Sequence, residues 1–315
     1  MRYIITTVLT SLLGTAALAD VPRVVTDIPP VQALVAQVMG DLGRPELLLE
    51  KGASEHSFQL KPSQAAGLAD AGLVVWIGPE LTPWLDRALE GVPVSVNRLA
   101  LLDLAGTVTQ DYPEAHADGE AHDDHEAHAE GEAHDEGAHH DHEGTDPHAW
   151  LSPTNARIWL VAIAGELSRI DPDNAATYTA NATASAALID TLDADVTALL
   201  APAKDKPIIV FHEAFGYFAT HYGLTIAGSI SEGDAATPGA ERLSEIRSMI
   251  EAGKVACVFP ETNHDPKLVE QMVDGTDARI GAPLDPVGSS LEPGPLAYDA
   301  LLRGMATTVA DCVAG

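Results

Sequence analysis

Basic residues are scarce in this chain, which has 17 Lys and Arg against 47 Asp and Glu and a formal net charge of −30. A protein that binds nucleic acid neutralises phosphate groups with a basic surface, so this composition excludes nucleic acid as a natural partner. A strongly acidic surface attracts cations instead. The charge therefore directs the search for a function towards positively charged ligands.

Long apolar runs are also missing beyond residue 19. A membrane-spanning helix needs about 20 predominantly apolar residues, and no run of roughly that length follows. Residues 1–19 have a basic start at Arg2, a short apolar stretch and a small-x-small sequence at 17–19 (ALA), which is typical of a cleaved signal peptide. We expect the mature chain to begin at Asp20.

Cysteine is rare and is absent from the predicted cleavage point, so we expect no lipid anchor of the bacterial lipoprotein kind and no other membrane anchor. An exported protein without a membrane anchor is retained near its cell only if it lies in a periplasm. We therefore expect a periplasmic protein. The chain has two cysteines, Cys257 and Cys312. Because the periplasm is oxidising, a disulfide between them is favoured over two free thiols.

The length of 315 residues suits two domains rather than one hydrophobic core. Short apolar strands alternate with helical segments in both halves, as at 73–77 (LVVWI) and 207–211 (PIIVF), and 94–96 (VSV) reads as a further short strand. Continuous apolar strands between helices indicate a parallel sheet that helices cover on both faces. The sequence therefore predicts an α/β protein with two lobes, each built on a mostly parallel central sheet.

Residues 171–201 separate the two halves and have the composition of one long helix. The segment is rich in Ala, Leu, Asp and Thr, it begins with Asp-Pro, and Pro202 follows its end. We predict a rigid helix that joins an N-terminal lobe at 20–170 to a C-terminal lobe at 202–315.

A low-complexity segment at 113–146 interrupts the N-terminal half and consists almost wholly of His, Asp, Glu, Ala and Gly. Such a segment buries too little apolar surface to offset the entropy cost of ordering, so we expect a disordered loop. Histidine-rich tracts bind metal ions weakly and in many arrangements, which favours an auxiliary metal collector over a solvated acidic linker. Its eight histidines are His116, His122, His125, His128, His134, His139, His140 and His142.

Three histidines outside that loop stand at junctions between a strand or loop and a helix. They are His56 in residues 55–63 (EHSFQLKPS), His148 in residues 146–153 (DPHAWLSP) and His212 in residues 210–218 (VFHEAFGYF). Ligands of open α/β sheets bind beyond the carboxyl ends of the strands. We therefore expect the three imidazoles to meet in the cleft between the lobes.

Asp285 follows the last predicted strand and is the carboxylate that we expect to complete this set. Three imidazoles and one carboxylate suit the tetrahedral preference of Zn²⁺, whereas a site richer in oxygen would favour manganese. Affinity alone would also permit copper or nickel. We do not expect the two remaining histidines, His221 and His264, to bind the metal.

Together, the three histidine segments and the His/Asp/Glu loop resemble the zinc-specific periplasmic solute-binding proteins of bacterial ABC importers, the ZnuA type. The resemblance runs from about residue 24 to the C-terminus. It implies ligation of the metal by His56, His148 and His212, with a carboxylate or water as the fourth ligand. The family pattern has an aspartate where Asp285 stands, but some zinc-binding members use the glutamate beside the first histidine, so Glu55 is the competing fourth ligand.

The resemblance also implies that the protein captures zinc and delivers it to the membrane permease of an ABC importer. It implies a rigid helix between the lobes and a disulfide that Cys257 and Cys312 match. Manganese-binding relatives have a glutamate at the position of His212, so the histidine in this chain favours zinc. We expect a monomer.

Two other functions fit part of the pattern. Three histidines can hold a hydrolytic zinc with Glu213 as general base, but a catalytic zinc needs an open coordination position and the chain has no His-Glu-x-x-His helix. A periplasmic metal buffer or zinc chaperone would use the same ligands without a transport role. We therefore predict a binding protein without enzymatic activity.

Overall fold

The N-terminal half is built on a four-stranded parallel sheet. The computed structural model describes residues 21–112, 144–231 and 238–315. The first four strands are β1 (Val24–Thr26), β2 (Glu46–Leu47), β3 (Leu73–Trp76) and β4 (Asn97–Ala100), and their order in the sheet is β2-β1-β3-β4. The connecting helices are α1 (Pro29–Met39), α2 (Pro62–Ala69) and α3 (Pro83–Glu90).

The C-terminal half repeats this topology. Its strands are β5 (Ile208–Val210), β6 (Ile226–Ser229), β7 (Cys257–Val258) and β8 (Arg279–Ile280), again all parallel, in the order β6-β5-β7-β8. Helices α6 (Gly216–Tyr222), α7 (Ala240–Glu251) and α8 (Lys267–Val273) lie between them. In each sheet the first strand in the chain lies inside the sheet, with neighbours on both sides. The prediction of two α/β lobes with parallel sheets is confirmed.

Three helices are longer than the others: α4 (Pro153–Ile170) and α5 (Ala175–Leu200), which lie between β4 and β5 in the chain, and α9 (Ala297–Ala314), which follows β8. The 26 residues of α5 span about 39 Å at 1.5 Å per residue. The predicted long helix is therefore present, but it begins at Ala175, because a 3-10 turn at Pro172–Asn174 precedes it. Helix α5 packs against α4, α1 and α9 along its length, and the lobe boundaries at 170 and 202 stay a prediction.

One continuous apolar core joins the two halves. It extends from Val75 in β3 through Trp159 in α4 and Leu192 in α5 to Leu302 in α9 and Val210 in β5. A smaller cluster lies on the other face of each sheet. Because the main core is shared, a large separation of the lobes would expose apolar surface to water.

Cys257 in β7 and Cys312 in α9 form a disulfide with a Cα–Cα distance of 6.3 Å, which confirms the predicted pair. The bond fastens the last helix to the C-terminal sheet. A strand predicted at 94–96 is wrong: β4 begins at Asn97, and the Val94 side chain is fully exposed. Among the described residues, no helix combines the length and the hydropathy that a membrane span requires.

Two predicted segments lie outside the described residues. They are the signal peptide at 1–19 and the part of the acidic loop that contains all eight of its histidines. The described ends of that loop are hydrogen-bonded to each other: the Asp146 amide donates to the Gln110 carbonyl at 2.9 Å, and the Tyr112 amide donates to the Gly144 carbonyl at 3.1 Å.

Candidate metal centre

The loop between β2 and α2 carries Glu55 and His56. Glu55 is buried, with 2% of its surface exposed, and His56 is half-buried. The indole of Trp84 in α3 donates a hydrogen bond to the Glu55 main-chain carbonyl at 2.6 Å. Phe58 meets the same indole edge to face, with 5.2 Å between ring centroids. These contacts attach the loop to the N-terminal lobe.

His148 lies at the start of a short 3-10 turn before α4 and is 1% exposed. One carboxylate oxygen of Asp146 accepts both the His148 backbone N–H at 2.9 Å and the Nδ1–H of its ring at 2.7 Å. This partner fixes the proton on Nδ1 and leaves a lone pair on Nε2. His148 Nε2 is buried and has no hydrogen-bond partner among the described residues. A buried acceptor of this kind is suited to a metal ion.

His212 follows β5 at the turn into α6 and is also 1% exposed. Its Nδ1 lies 2.7 Å from both carboxylate oxygens of Glu261, and its backbone N–H donates to one of them at 3.2 Å. Glu261 stands just beyond β7, the strand beside β5. Each lobe thus supplies one histidine whose tautomer a buried carboxylate sets.

The structure gathers four of the residues proposed from the sequence. One donor atom from each of Glu55, His56, His148 and His212 lies within 4.8 Å of the others. The ring centroid of His148 is 5.6 Å from that of His56 and 5.5 Å from that of His212. Donors bound tetrahedrally at about 2.1 Å lie roughly 3.4 Å apart, so small side-chain adjustments would bring these donor atoms to the spacing of a metal site. Two imidazoles come from the N-terminal half and one from the C-terminal half.

The structure does not place Asp285 in this group. The backbone N–H groups of Ser289 and Ser290 each donate to its carboxylate at 2.9 Å, and both serine hydroxyls donate to it as well. These donors turn the carboxylate into the loop that follows β8. The carboxylate that lies with the histidines is that of Glu55, the competing candidate of the sequence analysis.

The sequence analysis does not predict the roles of Asp146 and Glu261, which orient the histidines. Asp146 had a local signal, since it precedes His148 by two residues in the segment DPH. Glu261 had none, because it is 49 residues from His212 along the chain and approaches it through the pairing of β5 with β7.

Neither of the other two described histidines joins the group. His221 Nε2 lies 2.7 Å from an Asp193 carboxylate oxygen on α5. His264 stacks on Phe211 with 4.1 Å between ring centroids. A cavity of about 240 Å³ borders the site, and its lining includes Glu55, His212, Thr262, His264 and Asp285.

The segment that carries His148 is fastened to the C-terminal half by three hydrogen bonds. The Tyr217 hydroxyl donates to the Asp146 carbonyl, the Trp150 indole donates to the Pro286 carbonyl, and the Tyr298 hydroxyl donates to the Trp150 carbonyl, each at 2.8 Å. Burial raises the pKa of Tyr217 to about 12, so this hydroxyl stays protonated at neutral pH. These bonds hold the segment of His148 against the half of the chain that supplies His212.

The fold and the site together define a metal-binding protein of the two-lobed, solute-binding class. A family model described as zinc-uptake complex component A, periplasmic, matches residues 24–312. The chain belongs to this family.

Curated relatives agree with the family match over nearly the full length. The chain is 54% identical to the high-affinity zinc uptake system protein ZnuA of Paracoccus denitrificans, over 97% of each chain. It is 39% identical to the protein of the same name from Brucella abortus (strain 2308), over 95% of this chain and 94% of the relative.

Solved structures agree as well. A crystal structure of ZnuA superposes with a TM-score of 0.73 at 25% identity and covers 93% of this chain and 99% of that chain. FpvC from Pseudomonas aeruginosa, in complex with Mn²⁺, has a TM-score of 0.75 at 20% identity, with coverage of 93% and 99%. At 20% identity the likeness to FpvC bears on the fold alone.

Proposed function

We propose that this chain is a high-affinity periplasmic zinc-binding protein that captures Zn²⁺ and delivers it to the membrane permease of an ABC importer. The observation that carries the proposal is the group of Glu55, His56, His148 and His212, three of them buried and His56 half-buried, whose donor atoms converge between the lobes. The names of the relatives from Paracoccus and Brucella support zinc as the cargo.

Three imidazole nitrogens and one carboxylate oxygen fill the tetrahedral shell that Zn²⁺ prefers, with His56, His148, His212 and Glu55 as the ligands. Asp146 and Glu261 accept the Nδ1 protons of two of these histidines. Such carboxylates raise the basicity of the ligating nitrogen and fix the ring orientation. Both effects favour tight binding of a divalent cation.

A filled shell also disfavours catalysis, because a hydrolytic zinc needs an open position for water. Glu213, the base that a hydrolase would require, accepts a hydrogen bond from the Ser229 hydroxyl at 3.1 Å and is not in the metal-binding group. We therefore infer a binding protein without enzymatic activity. A metal buffer or a zinc chaperone would share the same site and differs only in its partner.

We infer that the histidine-rich loop is an auxiliary, low-affinity zinc collector. Tyr112 is the last residue before the loop, and its ring centroid lies 6.5 Å from that of His148. Asp146, just after the chain returns, contacts His148 directly. Zinc ions held by the loop would therefore be concentrated beside the tight site.

We also propose that the protein acts as a monomer of two lobes, at 20–170 and 202–315, joined by the helix within 171–201. The continuous core across the lobes supports release of zinc through local movements rather than a wide opening.

Competitive titration with a chromophoric zinc chelator tests the proposal. His56→Ala, His148→Ala and His212→Ala should each weaken tight zinc binding by at least a hundredfold. His264→Ala, which changes a histidine beside the site but outside the group, is the matched control and should bind as the unaltered protein does. Tight binding that survived any of the first three substitutions would remove that histidine from the proposed ligand set.

Delivery needs its own test. Zinc-limited growth of cells that lack this gene should be restored by the unaltered protein only when the permease of the importer is present. Growth without a permease would favour the buffer or chaperone function.

A further inference from the structure

Trp84 connects helix α3 to the loop that carries two of the four proposed metal ligands. Its indole N–H donates to the main-chain carbonyl of Glu55 at 2.6 Å, and the side chain is 7% exposed. The residue thus holds the backbone at the position next to His56. Trp84 is not one of the four residues of the metal-binding group.

The proposed metal ligands stand on two different kinds of chain segment. His148 and His212 each form a hydrogen bond from Nδ1 to a buried carboxylate. His148 stands just before helix α4, and His212 stands just after strand β5. Glu55 and His56 lie on the long connection between β2 and α2. If a loop becomes ordered only when the ion binds, the entropy cost of ordering it weakens the observed affinity.

This loop makes hydrogen bonds near its start, near its end and, in the middle, with Trp84. At the start, the Ala53 amide donates to the Glu50 carbonyl at 3.0 Å. At the end, the Lys61 amide donates to the Gln64 side-chain oxygen at 2.9 Å. The Trp84 bond fixes the middle, and the edge-to-face contact of Phe58 with the same indole continues that support.

We propose that Trp84 is a positioning residue for metal binding: its indole N–H holds the Glu55 carbonyl so that the Glu55 and His56 side chains face His148 and His212 before the ion arrives. This inference rests on the proposed metal site. It assigns to Trp84, through the backbone, the role that Asp146 and Glu261 have at the other two histidines.

The chain offers a matched control in Trp76. It belongs to the same apolar cluster as Trp84 and is 5% exposed. Its indole nitrogen is buried without a hydrogen-bond partner among the described residues. Trp76→Phe therefore removes an indole from the same core without removing a bond to the metal-binding loop.

The experiment compares Trp84→Phe with Trp76→Phe in the full mature chain, with Zn²⁺ as the ligand. The equilibrium constant is measured by chelator competition, the dissociation rate by transfer to excess chelator, and the unfolding temperature on metal-free protein. Trp84→Phe should weaken zinc binding about tenfold, the lower end of the range for partners that orient metal ligands, and should speed dissociation. Trp76→Phe should stay within about twofold of the unaltered protein, whatever its unfolding temperature.

Equal zinc affinity in the two variants would overturn the role of Trp84, because a purely structural indole lowers stability without selective loss of binding. If Trp84→Phe does not fold, 3-benzothienylalanine at position 84 keeps the bicyclic shape and removes only the N–H, and the same tenfold loss is expected. His212→Ala is measured in parallel. Tight binding by His212→Ala would show that the proposed ligand set is wrong, whereas weakened binding by His212→Ala beside an unaffected Trp84→Phe would refute the positioning role alone.

Discussion

His148 and Asp146 are joined through one carboxylate oxygen, which accepts the imidazole Nδ1–H at 2.7 Å and the backbone N–H of the same histidine at 2.9 Å. His212 and Glu261 repeat this double contact in the other lobe. In the first pair the partners are two residues apart, and in the second they are 49 residues apart. The two lobes thus reach the same local chemistry through different connections.

These carboxylates should contribute to zinc affinity without touching the ion. Asp146→Asn and Glu261→Gln keep the size of each side chain but remove its charge, so the histidine becomes a weaker donor. Each substitution should weaken zinc binding by about 10- to 100-fold. Chelator competition at neutral pH measures the effect.

Asp193→Asn is the control for this pair of substitutions. Asp193 also lies 2.7 Å from a histidine nitrogen, but its partner is His221, outside the metal-binding group. The zinc affinity of Asp193→Asn should equal that of the unaltered protein. A similar loss in all three variants would mean that the substitutions act through general destabilisation.

The fourth ligand can be identified by a direct comparison of Glu55→Gln and Asp285→Asn. Glu55 lies with the histidines, so the loss of its charge should weaken zinc binding at least tenfold, or by about 1.4 kcal/mol. Asp285 accepts hydrogen bonds from Ser289 and Ser290, so Asp285→Asn should lower the unfolding temperature. Its effect on zinc affinity should be smaller than that of Glu55→Gln. The opposite ranking in a titration would restore Asp285 as the ligand.

The contrast between these two carboxylates indicates what the sequence could provide. Position at the junction of a strand or loop with a helix predicted the three histidines that the structure brings together, and export predicted the disulfide of Cys257 with Cys312. Asp285 stands beyond a strand end, but backbone N–H groups four and five residues later bind its carboxylate. Such capture depends on the path of the loop, which residue spacing does not specify.

Glu261 illustrates a second limit. Its contact with His212 requires that β7 lies beside β5, with Ile209 opposite Val258, and this order follows from the packing of the whole sheet. Strand boundaries at an edge were also difficult. β4 includes Arg98, whose guanidinium donates to the carbonyls of Leu89 and Val92, so the strand lacks the apolar run that identified β3.

Removal of the histidine-rich loop should separate weak from tight binding. A deletion of 116–142 leaves the hydrogen bonds between the two loop ends, such as that from the Asp146 amide to the Gln110 carbonyl. Titration by calorimetry should show that the weak zinc equivalents disappear and the tight one persists. Loss of the tight site would instead make the loop part of the main centre.

A buried carboxylate outside the metal-binding group should make stability depend on pH. Asp27 follows β1 and is fully buried, and its two carboxylate oxygens accept the backbone N–H groups of Ile28 and Ile77 at 2.8 Å. Burial raises its pKa from 3.8 to about 7, although these two hydrogen bonds act in the opposite direction.

The sign of the dependence follows from proton binding. Between pH 3.8 and about 7 the unfolded chain has released this proton while the folded chain retains it, so the contribution of Asp27 to stability falls as the pH rises. Complete ionisation would cost the folded state roughly 4 kcal/mol, from about 1.4 kcal/mol per pKa unit. Asp27→Asn has no such proton, and its packing cost is the same at every pH.

Denaturant unfolding of the metal-free protein, with chelator present to exclude zinc, should therefore reveal a changing difference between the two chains. The unaltered protein should lose free energy of unfolding relative to Asp27→Asn as the pH rises from 5 to 8, by about 2 to 3 kcal/mol. Because Asp27 follows β1 and accepts the N–H of Ile77, which follows β3, its ionisation should weaken the N-terminal sheet at the ends of these two strands. A difference that stayed constant over this range would mean that Asp27 is already ionised in the folded protein at pH 5.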